Sequence, residues 1–318
     1  MNHDVKGLLL LEPGSRADGF FLLKSVETKT ASNGKNYIDF LLSDKSGDVV
    51  GKLWESTPDD ERGFASNSIV KVRGIVNKWK DSVQLKIERI RNITDEDGVN
   101  IEDFVRSAPI EGEQMYSVML DYISKIESED IRKIVAHISE SKKDRLIYYP
   151  AAKSNHHAIR AGLLYHVTTM LASAELLLGI YDFLDSDLLY AGIILHDISK
   201  LDEMDANELG IVSDYTVEGK LLGHIIQGIK ELEVAGAALG TSKEVILVLQ
   251  HMILSHHYEA EFGSPKKPLI PEAEMLHHLD MIDARMYDFK NALADVNEGD
   301  FSQRVWSLEN RAVYKPGL

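Results

Sequence analysis

The stretch Leu188-Leu189-Tyr190-Ala191-Gly192-Ile193-Ile194-Leu195-His196-Asp197-Ile198-Ser199-Lys200 puts ionisable side chains directly behind an apolar run. The run Leu188 to Leu195 has the length of a core helix, and no segment reaches the ~20 apolar residues of a membrane helix. A helix is expected over 188–200. Adjacent helical residues point ~100° apart. His196 and Asp197 can therefore place ligands on two sides of one ion, or of a pair of ions. Lys200, at i+4 from His196, can reach an anionic group held there. The bland alternative is a solvated helix end whose His and Lys favour the dipole.

Working outward, the histidines favour a site. The chain has 318 residues and 12 His, ten of them between 156 and 278. It has no Cys. Disulfides, thiolate nucleophiles and Cys-type zinc sites are thereby excluded, and a metal would be held by His, Asp, Glu or water. His166 closes the run Gly162-Leu163-Leu164-Tyr165-His166, His224 follows Gly223, and His256-His257 end a helix beginning near Val245. Asp280 lies in Leu279-Asp280-Met281-Ile282, where a buried carboxylate requires a cation or hydrogen bonds. His251, His277 and His278 are read as ordinary polar residues.

The first third has a different grammar. Residues 19–92 read as five short strands with one helical or irregular insertion between the third and fourth. Asn33-Gly34 and Gly47-Asp48 supply turns. Val70 and Val72 alternate with Lys71 and Arg73, and Val83, Leu85 and Ile87 with Gln84, Lys86 and Glu88. Such alternation buries one face. This strand order fits an OB-fold barrel, or another small barrel or meander. The expected architecture is multidomain: an N-terminal all-β barrel and a C-terminal all-α domain, helical almost throughout from 155. Residues 1–13 form a tail, 14–93 the barrel, 94–150 a helical connector and 151–318 the helical domain.

The ordered set His166, His196-Asp197, His224, His256-His257, Asp280 resembles the HD superfamily of metal-dependent phosphohydrolases in its two-metal form. The resemblance tightens with Asn155-His156-His157-Ala158, with Leu254-Ser255-His256-His257 before Gly263-Ser264-Pro265, and with Asp280-Met281-Ile282-Asp283-Ala284-Arg285-Met286. A barrel followed by an HD domain with these motifs is similar to the YhaM-type 3′–5′ exoribonucleases over essentially the whole chain. That resemblance implies hydrolysis of single-stranded RNA, with single-stranded DNA as a second substrate to test, from the 3′ end to nucleoside monophosphates. The alternative is an HD phosphohydrolase of small nucleotides or cyclic dinucleotides with a regulatory barrel.

Two divalent ions about 3.5–4 Å apart can supply a hydroxide, neutralise phosphate and orient the leaving oxygen. On this reading Asp197 bridges. His166, His196 and Asp280 hold one ion; His224 with His256, His257 or both hold the other. Manganese suits the His-rich set, with cobalt, iron and magnesium as alternatives. Lys200 stabilises phosphate charge, and Arg285 meets substrate phosphate or a structural partner. On the barrel, Tyr37 beside Lys35, Trp79 between Lys78 and Lys80, and Lys71 and Arg73 are the expected contacts to single strands. Phe40 and Trp54 are expected in the barrel core.

The formal charge of −16 divides unevenly. Residues 14–93 hold 14 Lys+Arg against 11 Asp+Glu, a net +3; the remainder holds 21 against 40, a net −19. A narrow basic path, with salt-dependent binding, is expected rather than a broad basic surface. The lack of Cys fits a reducing cytoplasm, and Asp4 with only Leu8 to Leu11 as an apolar run makes a poor signal peptide. A homo-oligomer is left open.

Overall fold

The computed structural model describes residues 7–44, 46–79, 82–154 and 157–318. Lys80, Asn155 and His156 lie outside them. The chain divides into two compact units, Met1–Arg106 and Ser107–Leu318.

The first unit is a closed barrel. Its strands are β1 (Arg16–Thr30), β2 (Asn36–Asp44), β3 (Gly47–Trp54), β4 (Ser68–Trp79) and β5 (Ser82–Asn92), in the order β1-β2-β3-β5-β4. Helix α1 (Pro58–Arg62) fills the link between β3 and β4, capped by Thr57 and Asp60 in a reciprocal box. Alternation sets the core: Val70, Val72 and Val76 of β4 and Leu85 and Ile87 of β5 point inward to Leu23, Ile38, Phe40 and Leu42. Each fully buried side chain of this kind contributes about 1.5–3 kcal/mol. β3 pairs with β5 in parallel, which closes the barrel and leaves the other pairings antiparallel.

The second unit is mainly helical. Helices α2 (Gly112–Lys125), α3 (Glu129–Ser141) and α4 (Lys143–Leu146) precede α5 (Gly162–Leu178), α6 (Ser186–Leu195) and α7 (Lys200–Glu203). A short hairpin, β6 (Met204–Ala206) and β7 (Val212–Tyr215), comes next. Then follow α8 (Val217–Leu239), α9 (Lys243–Ser255) and α10 (Pro271–Leu293). Ile123, Ile126, Ile131, Ile134 and Ile138 are all buried, in one cluster with Leu163, Leu189, Ile193 and Leu276. The helices over 112–146, read from sequence as a connector, thus share the core of this unit. Asp187 ties them down by accepting the N–H groups of Glu127 (3.0 Å) and Ser128 (2.7 Å).

Two expectations about helix extent are corrected. The helix expected over 188–200 stops at Leu195; residues 196–199 form a turn and α7 restarts at Lys200. Local hydrogen bonding explains the stop, because the His196 ring bonds the Ile193 carbonyl at 2.8 Å, one of the last carbonyls of α6. The β6–β7 hairpin and the irregular segment 294–318 also interrupt a region read as helical almost throughout.

Candidate metal centre and nucleic-acid face

Five elements, α5, the turn after α6, α8, α9 and α10, deliver ionisable groups to one buried point. His166 comes from the first turns of α5, and His196 and Asp197 from the turn after α6. His224 comes from α8, and His256 caps α9. Asp197 stands at the centre. His224 Nε2 lies 3.4 Å and His256 Nε2 3.7 Å from its Oδ1; His196 Nε2 lies 3.5 Å from Oδ2. His166 Nε2 lies 3.4 Å from Asp280 Oδ1. His196, His256 and Asp197 are 1%, 0% and 3% exposed.

These separations are informative. They exceed ordinary N–H···O lengths of about 2.7–3.2 Å. Nitrogen and oxygen ligands about 2.0–2.2 Å from a shared ion stand roughly 3–3.5 Å apart, close to what is seen here. Nε2 of His196, His224 and His256 and Oδ1 of Asp197 have no hydrogen-bond partner among the described residues. Buried polar atoms left in this way are costly unless something else satisfies them. Two groups of donor atoms, each within 4.8 Å of one another, share Asp197: one with His224, His256 and His257, the other with His166 and His196. The donor set therefore fits a divalent cation.

Electrostatics give ligand-ready forms for three of the histidines and for both carboxylates. Burial pushes the pKa of His196, His256 and His257 down, leaving neutral rings with a free lone pair. Burial alone would raise Asp197, but the Lys200 ammonium beside it holds it well below the carboxylate range. Asp280 is also held low, because its His166 contact outweighs burial. His166 behaves oppositely: burial opposes its charge, yet Asp280 and Asp283 raise it to about 10.

Local geometry explains the aim of the rings. His224 follows Gly223, whose φ of 72° breaks the regular path of α8; glycine reaches that region without strain. A Cβ on Gly219, one turn earlier, would collide with the Glu203 carbonyl, so this glycine lets α8 close on α7. The Gly263-Ser264-Pro265 motif serves His257: Ser264 Oγ accepts its backbone N–H at 3.1 Å, and Phe262 O accepts from its ring at 2.6 Å.

Lys200 is brought to the cluster, but onto Asp197 (2.6 Å) rather than alongside His196. Arg285 is not brought there; its guanidinium pairs with Glu309 at 2.8 Å. Sequence reading did not single out Glu203, His157, Asp283 or His277 as site residues. Asp283 accepts from both His157 (2.8 Å) and His166 (2.7 Å), and His277 donates to the His256 carbonyl at 2.8 Å. The i+3 spacing from Asp280 to Asp283 was the available signal; Glu203 offered none.

On the barrel, Tyr37 and Trp54 are cross-strand partners with rings stacked at 4.6 Å. Lys52 Nζ sits 4.9 Å from the Tyr37 ring and 5.8 Å from the Trp54 ring. Trp54 is 45% exposed, which corrects its expected place in the core; Phe40 is buried as expected. Trp54 ends β3, where the barrel wall gives way to the loop, so its ring lies outside. Lys35 pairs with Glu55 at 2.8 Å, and Trp79 is 63% exposed beside Lys78. Lys71 and Arg73 line a concavity of about 570 Å³ with Leu53, Arg89, Arg91, Asp18, Asp60 and Glu88. Arg73 pairs with Asp18 at 2.6 Å there. Lys80 is outside the described residues. Among the described residues, no helix is long and apolar enough to cross a membrane.

Comparison with known proteins agrees with both units. Residues 23–93 match the OB-fold nucleic acid binding domain and 163–285 the HD domain. The protein "3′-5′ exoribonuclease YhaM" of Geobacillus sp. (strain WCH70) is 43% identical over 98% of this chain and 95% of that protein. Its namesakes in Bacillus velezensis and Bacillus subtilis are 43% and 42% identical, each over 98% of both chains. With an OB-fold barrel, an HD domain and this level of identity along nearly its full length, the chain belongs to the YhaM family of 3′–5′ exoribonucleases.

Proposed function

We propose that this protein is a metal-dependent 3′–5′ exoribonuclease that hydrolyses the phosphodiester bonds of single-stranded RNA to nucleoside monophosphates. The observation that carries this is the convergence of three imidazole Nε2 atoms on one buried carboxylate, Asp197. His166, His196, Asp197 and Asp280 would hold one divalent cation; Asp197, His224, His256 and His257 would hold a second. Manganese suits this His-rich, thiolate-free set, with cobalt, iron or magnesium as the other candidates. When bound, such ions supply positive charge for the phosphate and make water more acidic.

The chain supplies the rest. Lys200 contributes a fixed cation for the phosphate oxygens. The stacked Tyr37–Trp54 pair and exposed Trp79 offer platforms for bases, with Lys35, Lys52 and Lys78 for the backbone. Lys71 and Arg73 would add backbone contacts from the concavity they line. Single-stranded DNA shares the phosphate and base chemistry and is a second candidate substrate.

The test is a 5′-labelled single-stranded RNA incubated with the protein and Mn²⁺, with and without a 3′-phosphate block. Stepwise shortening from a free 3′ end is expected. Inert RNA, with turnover of mononucleotides or cyclic dinucleotides, would overturn the reading.

A further inference from the structure

Each imidazole of the cluster is fixed through Nδ1, and the fixing groups are of two kinds. His196 and His256 are the C-caps of α6 and α9. Each bonds the carbonyl three residues earlier, Ile193 at 2.8 Å and Ile253 at 2.7 Å. His257 uses the Phe262 carbonyl. Two rings are held by carboxylates instead. His166 Nδ1 lies 2.7 Å from Asp283 Oδ2, and His224 Nδ1 lies 3.2 Å from Glu203 Oε2. The two carboxylates come from different helices, α10 and α7, and fall on opposite sides of the shared Asp197. His166 groups with His196, whereas His224 groups with His256 and His257.

We infer that Glu203 and Asp283 are positioning residues for two separate ions, one carboxylate to each. This rests on the metal-binding reading proposed above. A carbonyl and a carboxylate both accept Nδ1–H and so leave Nε2 as the atom turned toward the ion. The carboxylate adds negative charge behind the ring and so makes Nε2 the stronger donor. Each half of the centre then holds one strengthened His and at least one that is only oriented.

Both carboxylates are themselves anchored, as this role requires. Glu203 Oε1 also accepts the backbone N–H of His224 at 3.2 Å, so it fixes the ligand's ring and main chain together. Asp283 Oδ2 also accepts from His157 Nε2 at 2.8 Å, and the His157 ring packs on Tyr287 with centroids 3.9 Å apart.

The test is calorimetric titration of the metal-free, full-length protein with Mn²⁺ in the absence of RNA. Wild type should show two binding events per chain. His224→Ala identifies the event belonging to its side by abolishing it. Glu203→Gln, which keeps the shape, should weaken that same event about 10–100-fold and leave the other within about twofold. Asp283→Asn should do the reverse. Circular dichroism melts of the metal-free proteins check folding; if Asp283→Asn melts early, Glu203→Gln alone decides. Unchanged isotherms in Glu203→Gln, equal weakening of both events, or a single event in wild type would overturn the inference. Wild type that binds no Mn²⁺ would instead overturn the metal reading on which it rests.

Discussion

Lys200 holds its ammonium 2.6 Å from Asp197 Oδ2, with both side chains largely buried. The carboxylate on which three histidines converge is thus already paired with one cation. That cation would repel a divalent ion and attract a phosphate. Lys200→Met should therefore act with opposite signs on binding and turnover. We expect Mn²⁺ affinity to rise, on the order of tenfold for a removed like charge in a partly screened site. We expect RNA turnover to fall, on the order of 10²-fold for a lost charge stabiliser. Calorimetry and the 5′-label assay measure the two. Normal turnover with unchanged affinity would leave Lys200 a purely structural partner.

Asp197→Ala isolates the other half of the pair. It should abolish Mn²⁺ binding and RNA shortening while the barrel still retards single-stranded RNA in a gel. It also strands a buried ammonium, which costs about 3–5 kcal/mol. The double variant Asp197→Ala/Lys200→Met should recover most of that stability and none of the activity. Near-normal shortening by Asp197→Ala would remove it from the centre.

The contrast between Asp197 and Glu203 shows what is legible in a sequence. Asp197 follows His196 behind an apolar run, so the covalent order itself advertises a buried ionisable pair. His166, His224 and His256 carry similar local signals, as does Asp280 between apolar neighbours. Glu203 sits in the ordinary polar stretch Lys200-Leu201-Asp202-Glu203. Its role depends on α8 closing against α7 through Gly219, a tertiary fact with no local trace. The stop of α6 at Leu195 escaped for a related reason: a side chain, not a proline or glycine, takes the terminal carbonyl. Alternation in β4 and β5 was legible because burial there repeats every second residue. The place of Trp54 is not legible, because an aromatic at a strand end can face either way and its stacking partner Tyr37 lies seventeen residues earlier.

Substitutions at the Tyr37–Trp54 stack test binding apart from folding on the barrel. Trp54→Ala should weaken single-stranded RNA binding by about 1–3 kcal/mol, the worth of one base–aromatic stack, with little loss of stability. Phe40→Ala, 1% exposed, should cost about 3–5 kcal/mol of barrel stability through the cavity it leaves. Fluorescence anisotropy with labelled RNA and thermal melts distinguish them. Tight binding by both Trp54→Ala and Tyr37→Ala would move the RNA face elsewhere.

Chelation should act on one unit only. The two hydrophobic cores share no residue, and the convergent histidines belong entirely to the second. An ion at 1,000 times its Kd stabilises the folded unit by about 4 kcal/mol. Adding EDTA in calorimetry should lower the transition of residues 107–318 and leave that of the barrel in place. Equal shifts of both transitions, or none, would contradict this.

Alkaline pH provides a test away from the site. Tyr122 on α2 donates to Glu175 on α5 at 2.9 Å, and Lys125 holds the other carboxylate oxygen at 2.6 Å. Burial first, and then Glu175, push the Tyr122 phenol up to about 12. An unperturbed tyrosine titrates near ~10. The folded chain therefore keeps a proton that the unfolded chain loses first. The stabilisation is fully present below pH ~10 and disappears as pH rises through about 12. Tyr122→Phe keeps the edge contact with Tyr190 but removes the donor. Below pH ~10 wild type should melt about 2–4 °C above the variant, for a hydrogen bond worth ~1 kcal/mol in a unit of this size. That gap should close between pH 10 and 12. A gap constant across this window would show that the phenol does not link α2 to α5 through its proton.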